Sequence, residues 1–257
     1  MITERQNSMT RATYKKGSSL RITWVIAWRQ ITEAVRDRST LVMMSFSIGL
    51  PLILLFFTLS SALQVPRMGS SAGSTIEFFL LWIGVTTTTL SIGIAAGVFA
   101  GDKERGCLTP LLATPASNIS IFAGKVLGAA LPALAISGIG ILACFAEIAL
   151  FFGPAKLRLL PVGLTVLILL LIPAVSFFGS GLASVISSRV RTFQAAQSYS
   201  ALILVFLWFG LIALLFLAST WGLLAFAGAV AGIYGIDILL IMLSAVTWRR
   251  EEVMAHQ

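Results

Sequence analysis

Six apolar stretches, each long enough to cross a lipid bilayer, divide this chain, and only short polar segments join them. They fall at about residues 41–64, 76–100, 124–152, 162–186, 196–219 and 222–247. A helix needs about 20 residues to cross roughly 30 Å of hydrocarbon at 1.5 Å per residue, and every stretch reaches that length. With 58% hydrophobic and 11% charged residues, the chain has too little polar surface to coat a soluble globule. The joins leave no room for a large water-soluble domain. Residues 19–250 are therefore expected to form one all-α membrane domain of six transmembrane helices, with cytoplasmic tails at 1–18 and 251–257.

The net charge of +8 would suggest nucleic acid if it lay on a soluble surface. Its distribution says otherwise. Eight of the 18 Lys and Arg precede the first stretch; Lys103, Arg105 and Lys125 lie in or beside the second loop, Arg189 and Arg191 in the fourth, and Arg249 and Arg250 after the last stretch. Only Arg67, Lys156 and Arg158 fall on the opposite side. Cationic loops stay cytoplasmic, so both termini are expected inside and the charge reports topology rather than a nucleic-acid partner. Cys107 falls in an inner loop and Cys144 within the third stretch, a placement that does not suit a structural disulfide. The first 40 residues are polar and basic and show no cleavable signal peptide.

Within residues 19–38, Leu20, Trp24, Ala27, Trp28, Ile31 and Val35 recur at three- and four-residue steps, opposite Arg21, Arg29, Glu33, Arg36 and Asp37. That period predicts an amphipathic helix lying in the cytoplasmic interface with its Trp rings at headgroup level. Pro51, Pro132 and Pro173 interrupt the first, third and fourth spans, where neighbours must satisfy the freed carbonyls. Three Gly-xxx-Gly pairs (Gly93 and Gly97, Gly124 and Gly128, Gly228 and Gly232) permit close helix approach, mostly inside the subunit. The run Thr86 to Thr89 suits helix packing better than a filter, because Thr hydroxyls bond their own backbone.

Catalysis finds little support. The single histidine, His256, lies in the tail, so no His-based triad or metal pair can form in the membrane. Gly124-Lys125 is followed by Val126 and lacks the upstream glycine of a phosphate-binding loop, so the chain is expected to carry no ATP site and no cofactor. Glu77 and Glu147 fall near span ends, where water explains them. Asp237 falls about 22 Å along the last span, where a carboxylate must be paired, protonated or wetted. It is a candidate pathway residue, with a structural hydrogen bond to a neighbouring helix as the alternative.

The polar break at residues 101–125 is longer than a connector needs to be. Asp102 can cap a short helix starting at Lys103, which would place Leu108, Leu111 and Leu112 on one face and leave Lys103, Glu104 and Arg105 exposed. Pro115 would end it. An apolar face beside a charged one suits a rigid peg docking in a groove.

These residues also carry a likeness. Lys103-Glu104-Arg105-Gly106, then Leu108, then Leu111-Leu112-Ala113-Thr114-Pro115, then Gly124-Lys125, resembles the loop in membrane subunits of ABC type-2 exporters. Residues 181–197 are similar to the segment joining spans four and five in that family. The resemblance implies a permease of two membrane chains, identical or homologous, with two ATP-binding cassette subunits that hold the ATP. Lys103, Glu104, Gly106, Leu108, Leu111, Leu112, Thr114 and Pro115 would then form the coupling helix between spans two and three. Cys107 and Thr109 depart from the family's usual Thr and Glu. Of its branches, the drug- and sodium-exporting one is the nearer in pattern. The location implied is a prokaryotic plasma membrane. Two other readings stay open: a membrane assembly factor with an ATPase partner, and an ion-coupled secondary transporter using Asp237.

Overall fold

The computed structural model describes residues 19–64, 72–106, 117–190 and 192–247. Helix α1 spans Ser19–Arg36. The six apolar stretches become α2 (Arg38–Gln64), α3 (Ala72–Glu104), α4 (Asn118–Glu147), α5 (Val162–Arg189), α6 (Phe193–Trp221) and α7 (Leu223–Thr247). All six are long and apolar enough to cross a membrane. Most are longer than their apolar cores, since helical hydrogen bonding continues through the polar residues at each end. The extension matters most for α3 and α4, which run on to Glu104 and begin at Asn118, well beyond the expected limits at 100 and 124. Between α4 and α5 the chain passes through a π-turn at Ile148–Phe152 and a 3₁₀ turn at Pro154–Leu159.

Helix α3 is the axis of the bundle. In its most apolar stretch 67% of residues are buried, against 17% in α2 and in α7, and α3 packs on α2, α4, α5 and α6. Small residues make this possible. A Cβ on Gly84 would fall 2.3 Å from Ile172 of α5, and one on Gly179 would fall 2.8 Å from Ile92 of α3. The threonine run on α3 is consumed by packing, as its composition suggested. Thr87 bonds the backbone of Ile83 and Gly84, and Thr88 shares a hydrogen bond with Ser176 of α5.

Helix α1 lies across α4, in a groove cut by Gly124 and Gly128. A Cβ on Gly124 would stand 2.8 Å from the carbonyl of Thr23, and one on Gly128 would stand 2.6 Å from Gln30. That Gly-xxx-Gly pair therefore serves packing within the chain, whereas Gly228 and Gly232 on α7 face open space. The apolar set of α1 is divided. Ala27 and Ala34 are buried, while Trp24, Trp28 and Val35 point away from the protein. Asp37 caps the next helix: its carboxylate accepts from the Ser39 and Thr40 hydroxyls and from the Thr40 amide.

Pro51 sits inside α2 and removes the donor that the Ser47 carbonyl would otherwise receive. The Thr86 hydroxyl of α3 offers a replacement 3.1 Å from the Ser47 oxygen, sharing its one proton with the Trp82 (3.0 Å) and Ile83 (3.1 Å) carbonyls of its own helix.

Candidate functional site

The densest polar arrangement among the described residues gathers where α3 ends and α4 begins, on either side of the segment 107–116. Lys125, about two turns into α4, is 1% exposed, and Asp102, in the last turn of α3, is 6% exposed. The Lys125 ammonium donates to Asp102 Oδ2 at 2.7 Å and to the Val98 carbonyl at 2.7 Å. It also stands 4.1 Å from the centre of the Phe99 ring, a cation–π contact in a dry setting. An unpaired buried charge would cost several kcal/mol, so each partner holds the other in place. Asp102 therefore does not cap a separate helix as its position suggested. The α3 helix does not stop at Asp102, and the carboxylate turns inward to Lys125.

Farther along, the end of α3 is bound to the α5–α6 connection. Lys103 Nζ donates to the carbonyls of Ser188 (2.6 Å) and Val190 (3.1 Å), at the C-terminus of α5. Glu104 accepts from the Phe193 amide at 2.8 Å, at the N-terminus of α6. The cation thus meets the negative end of one helix dipole and the carboxylate the positive end of another. Lys103, expected to be exposed, is half-buried for this reason, while Glu104 and Arg105 remain at the surface. Burial holds the Lys103 ammonium among carbonyls rather than in water. Gly106, at φ +67°, closes the helix in a left-handed turn, with its amide bonded to the Lys103 carbonyl.

One turn below, Ser187 of α5 inserts its hydroxyl into the α3 backbone. It donates to the Ala96 carbonyl at 2.6 Å and accepts from the Ala100 amide at 2.9 Å, the two groups an α-helix would join to each other. The final three turns of α3 are thereby held by α4, α5 and α6 together. Asp102, Lys125 and Ser187 as a unit escaped sequence reasoning. The available signal was two opposite charges, each closing an apolar run, facing one another across a loop.

Leu108, Leu111, Leu112, Thr114 and Pro115 lie outside the described residues. Asp237 lies far along α7, 6% exposed, and neither carboxylate oxygen has a hydrogen-bond partner among the described residues. The structural hydrogen bond expected as an alternative for it is not present among them.

A family model for the ABC-2 type transporter matches residues 21–212, from α1 into α6. The chain belongs to the ABC-2 type transporter family. No curated protein matches it. The match extends over the whole α3–α6 cluster described above. An ABC-2 type transporter membrane domain with six such helices is a multi-pass membrane protein and a permease subunit, of a kind that works with an ATPase subunit. In that setting the Asp102–Lys125 pair and the Lys103 and Glu104 bonds belong to the framework of a transport domain. Among the described residues no group of His, Cys, Asp and Glu is placed to hold a metal ion.

Proposed function

We propose that this chain forms the transmembrane pathway of an ATP-driven exporter. It would pair with a second permease chain and couple to two separate ATPase subunits through residues 103–115. In this reading the α1 end of the bundle faces the cytoplasm, with both termini, and α1 lies at the membrane interface with Trp24 and Trp28 among the lipid headgroups. Leu108, Leu111 and Leu112 supply the apolar contact to the ATPase. The nucleotide and its chemistry belong to the partner.

The observation that supports this reading best is the binding of both ends of the segment 107–116 into the core of the bundle. Lys125 and Asp102 join α3 to α4, and Lys103 and Glu104 join α3 to the α5–α6 connection. A displacement applied to that segment reaches four spans at once. A solvated connector would have no need of a buried ion pair at its base. Transport then follows when ATP-driven closure of the two ATPases favours one arrangement of the spans over another through contacts that differ between them.

The test is Leu111→Ala with Leu112→Ala in the full-length chain, read by co-purification of the ATPase and by hydrolysis in nanodiscs. Loss of the ATPase, or hydrolysis that no longer drives transport, is the expected result, with the permease still inserted. Unchanged capture and unchanged coupling would reduce the segment to a connector.

A further inference from the structure

A cavity of about 750 Å³ opens at the α1 end of the bundle, between α1, α2, α3 and the start of α6. It has the size of a small-molecule site. Its walls are apolar or hydroxylic: Met43, Phe46 and Leu50 from α2, themselves partly exposed, stand with Thr86, Thr89 and Leu90 from α3. Glycines set its width. Gly93 and Gly101 both line it, and a Cβ built on either meets nothing within 4 Å.

The rim has a different character. In a chain of net charge +8, this cavity is lined by four carboxylates, Glu33, Asp37, Asp102 and Glu104, and one cation, Arg105. Asp102 is neutralised by Lys125, and Glu33 has an exposed partner in Arg29. Asp37 and Glu104 form no ion pair among the described residues; both accept hydrogen bonds from neutral donors, which steady the charge without cancelling it. The Ser39 and Thr40 hydroxyls hold the Asp37 carboxyl down at about 2, so it stays anionic at any physiological pH. Two aromatic rings, Phe46 and Phe193, line the same space.

From this arrangement we infer that the cavity is a binding site for an amphiphilic organic cation, with its apolar body between α2 and α3 and its positive charge at the rim facing Asp37, Glu33 and Glu104. An anion would meet the same carboxylates unfavourably, and a fully polar cation would leave the apolar walls unmatched. Delocalised or quaternary cations fit best, since they lose little hydration on entry and gain from the aromatic faces. The inference names a substrate class for the pathway proposed above and rests on that reading for its place in transport, whereas binding itself does not depend on the ATPase.

The test uses the full-length chain alone, in nanodiscs of phosphatidylcholine, with radiolabelled tetraphenylphosphonium as probe and tetraphenylborate as its anionic counterpart of the same shape. Saturable binding of the cation and none of the anion is expected. Glu33→Gln with Asp37→Asn should weaken cation binding by about tenfold or more; both amides keep the hydrogen-bond acceptors, and Asn caps a helix as well as Asp. Gly93→Phe, which fills the cavity from a position with open space, should abolish binding while the protein remains monodisperse. Either variant alone, if it folds, decides the matter. Absence of saturable binding, equal binding of the anion, or wild-type binding in either variant that folds would overturn the inference. So would a phospholipid retained in the cavity by native mass spectrometry, or a cysteine cross-link at Met43 showing that a second copy covers it. Because no ATPase is present, failure here leaves the coupling proposal standing, and failure of coupling leaves this result readable.

Discussion

The hydroxyl of Thr86 stands 3.1 Å from the carbonyl of Ser47, the oxygen that Pro51 strips of its helical donor four residues along α2. One helix repairs the break in another. The bond couples α2 to α3 at the point where α2 is weakest, beside the cavity that Ser47, Pro51 and Thr86 all line. Thr86→Val should therefore destabilise the protein by roughly 1 kcal/mol in the wild-type background. In a Pro51→Ala background, where the helix regains its own amide donor, the same substitution should cost measurably less. Thermal unfolding of the four proteins in one detergent gives the cycle, and equal costs in both backgrounds would show that the Thr86 bond is incidental.

Lys125 and Asp102 should show stronger coupling, because each leaves a charge buried when the other is removed. Lys125→Met alone and Asp102→Leu alone should each cost roughly 3–5 kcal/mol, while the double variant should recover most of that loss. Unfolding measurements on the three variants settle the point. Losses that simply add would mean that water reaches the pair.

Asp37 carries a pH dependence of defined sign. Its carboxyl falls from an ordinary 3.8 to about 2, first through the Ser39 hydroxyl and then through Thr40. A depressed folded-state value stabilises the start of α2 above pH 3.8, and that contribution is lost as the pH falls through about 2. Ser39→Ala with Thr40→Val should move the titration midpoint upward, read from the side-chain carbon shift of labelled Asp37. A wild-type midpoint at or above 3.8 would contradict the hydrogen bonds described for it.

Asp237 separates stability from function. Its two oxygens lack partners among the described residues, so Asp237→Leu should leave stability unchanged or raise it, contrary to the usual effect of a core substitution. If the residue serves transport, Asp237→Leu and Asp237→Asn should both lower transport in the assembled complex. Normal transport by both would leave the carboxylate without a role in the pathway.

The six spans were legible because bilayer crossing depends on summed apolarity over about 20 residues, which composition reports directly. The groove for α1 was half legible: Gly124 and Gly128 announce close approach, though nothing in their spacing says that α1 would occupy it. The role of Asp102 was misjudged, since it reads as a cap when only its local sequence is weighed. Its partner is 23 residues away. Ser187 gave no local sign at all, for a serine that enters another helix's backbone looks like any other small residue in a span. The cavity was invisible for the same reason, being made by the meeting of four helices of which each is ordinary alone.

The Asp102–Lys125 pair bears on how the protein is made. Lys125 belongs to the third span, yet the groups that neutralise it, Asp102, Val98 and Phe99, all belong to the second. A third span leaving the translocon alone would carry a bare ammonium toward lipid, whereas one leaving beside the second would carry a neutral pair. Charge neutralisation of the third span is thus supplied wholly by the second, so the buried pair can close only when the two spans lie side by side.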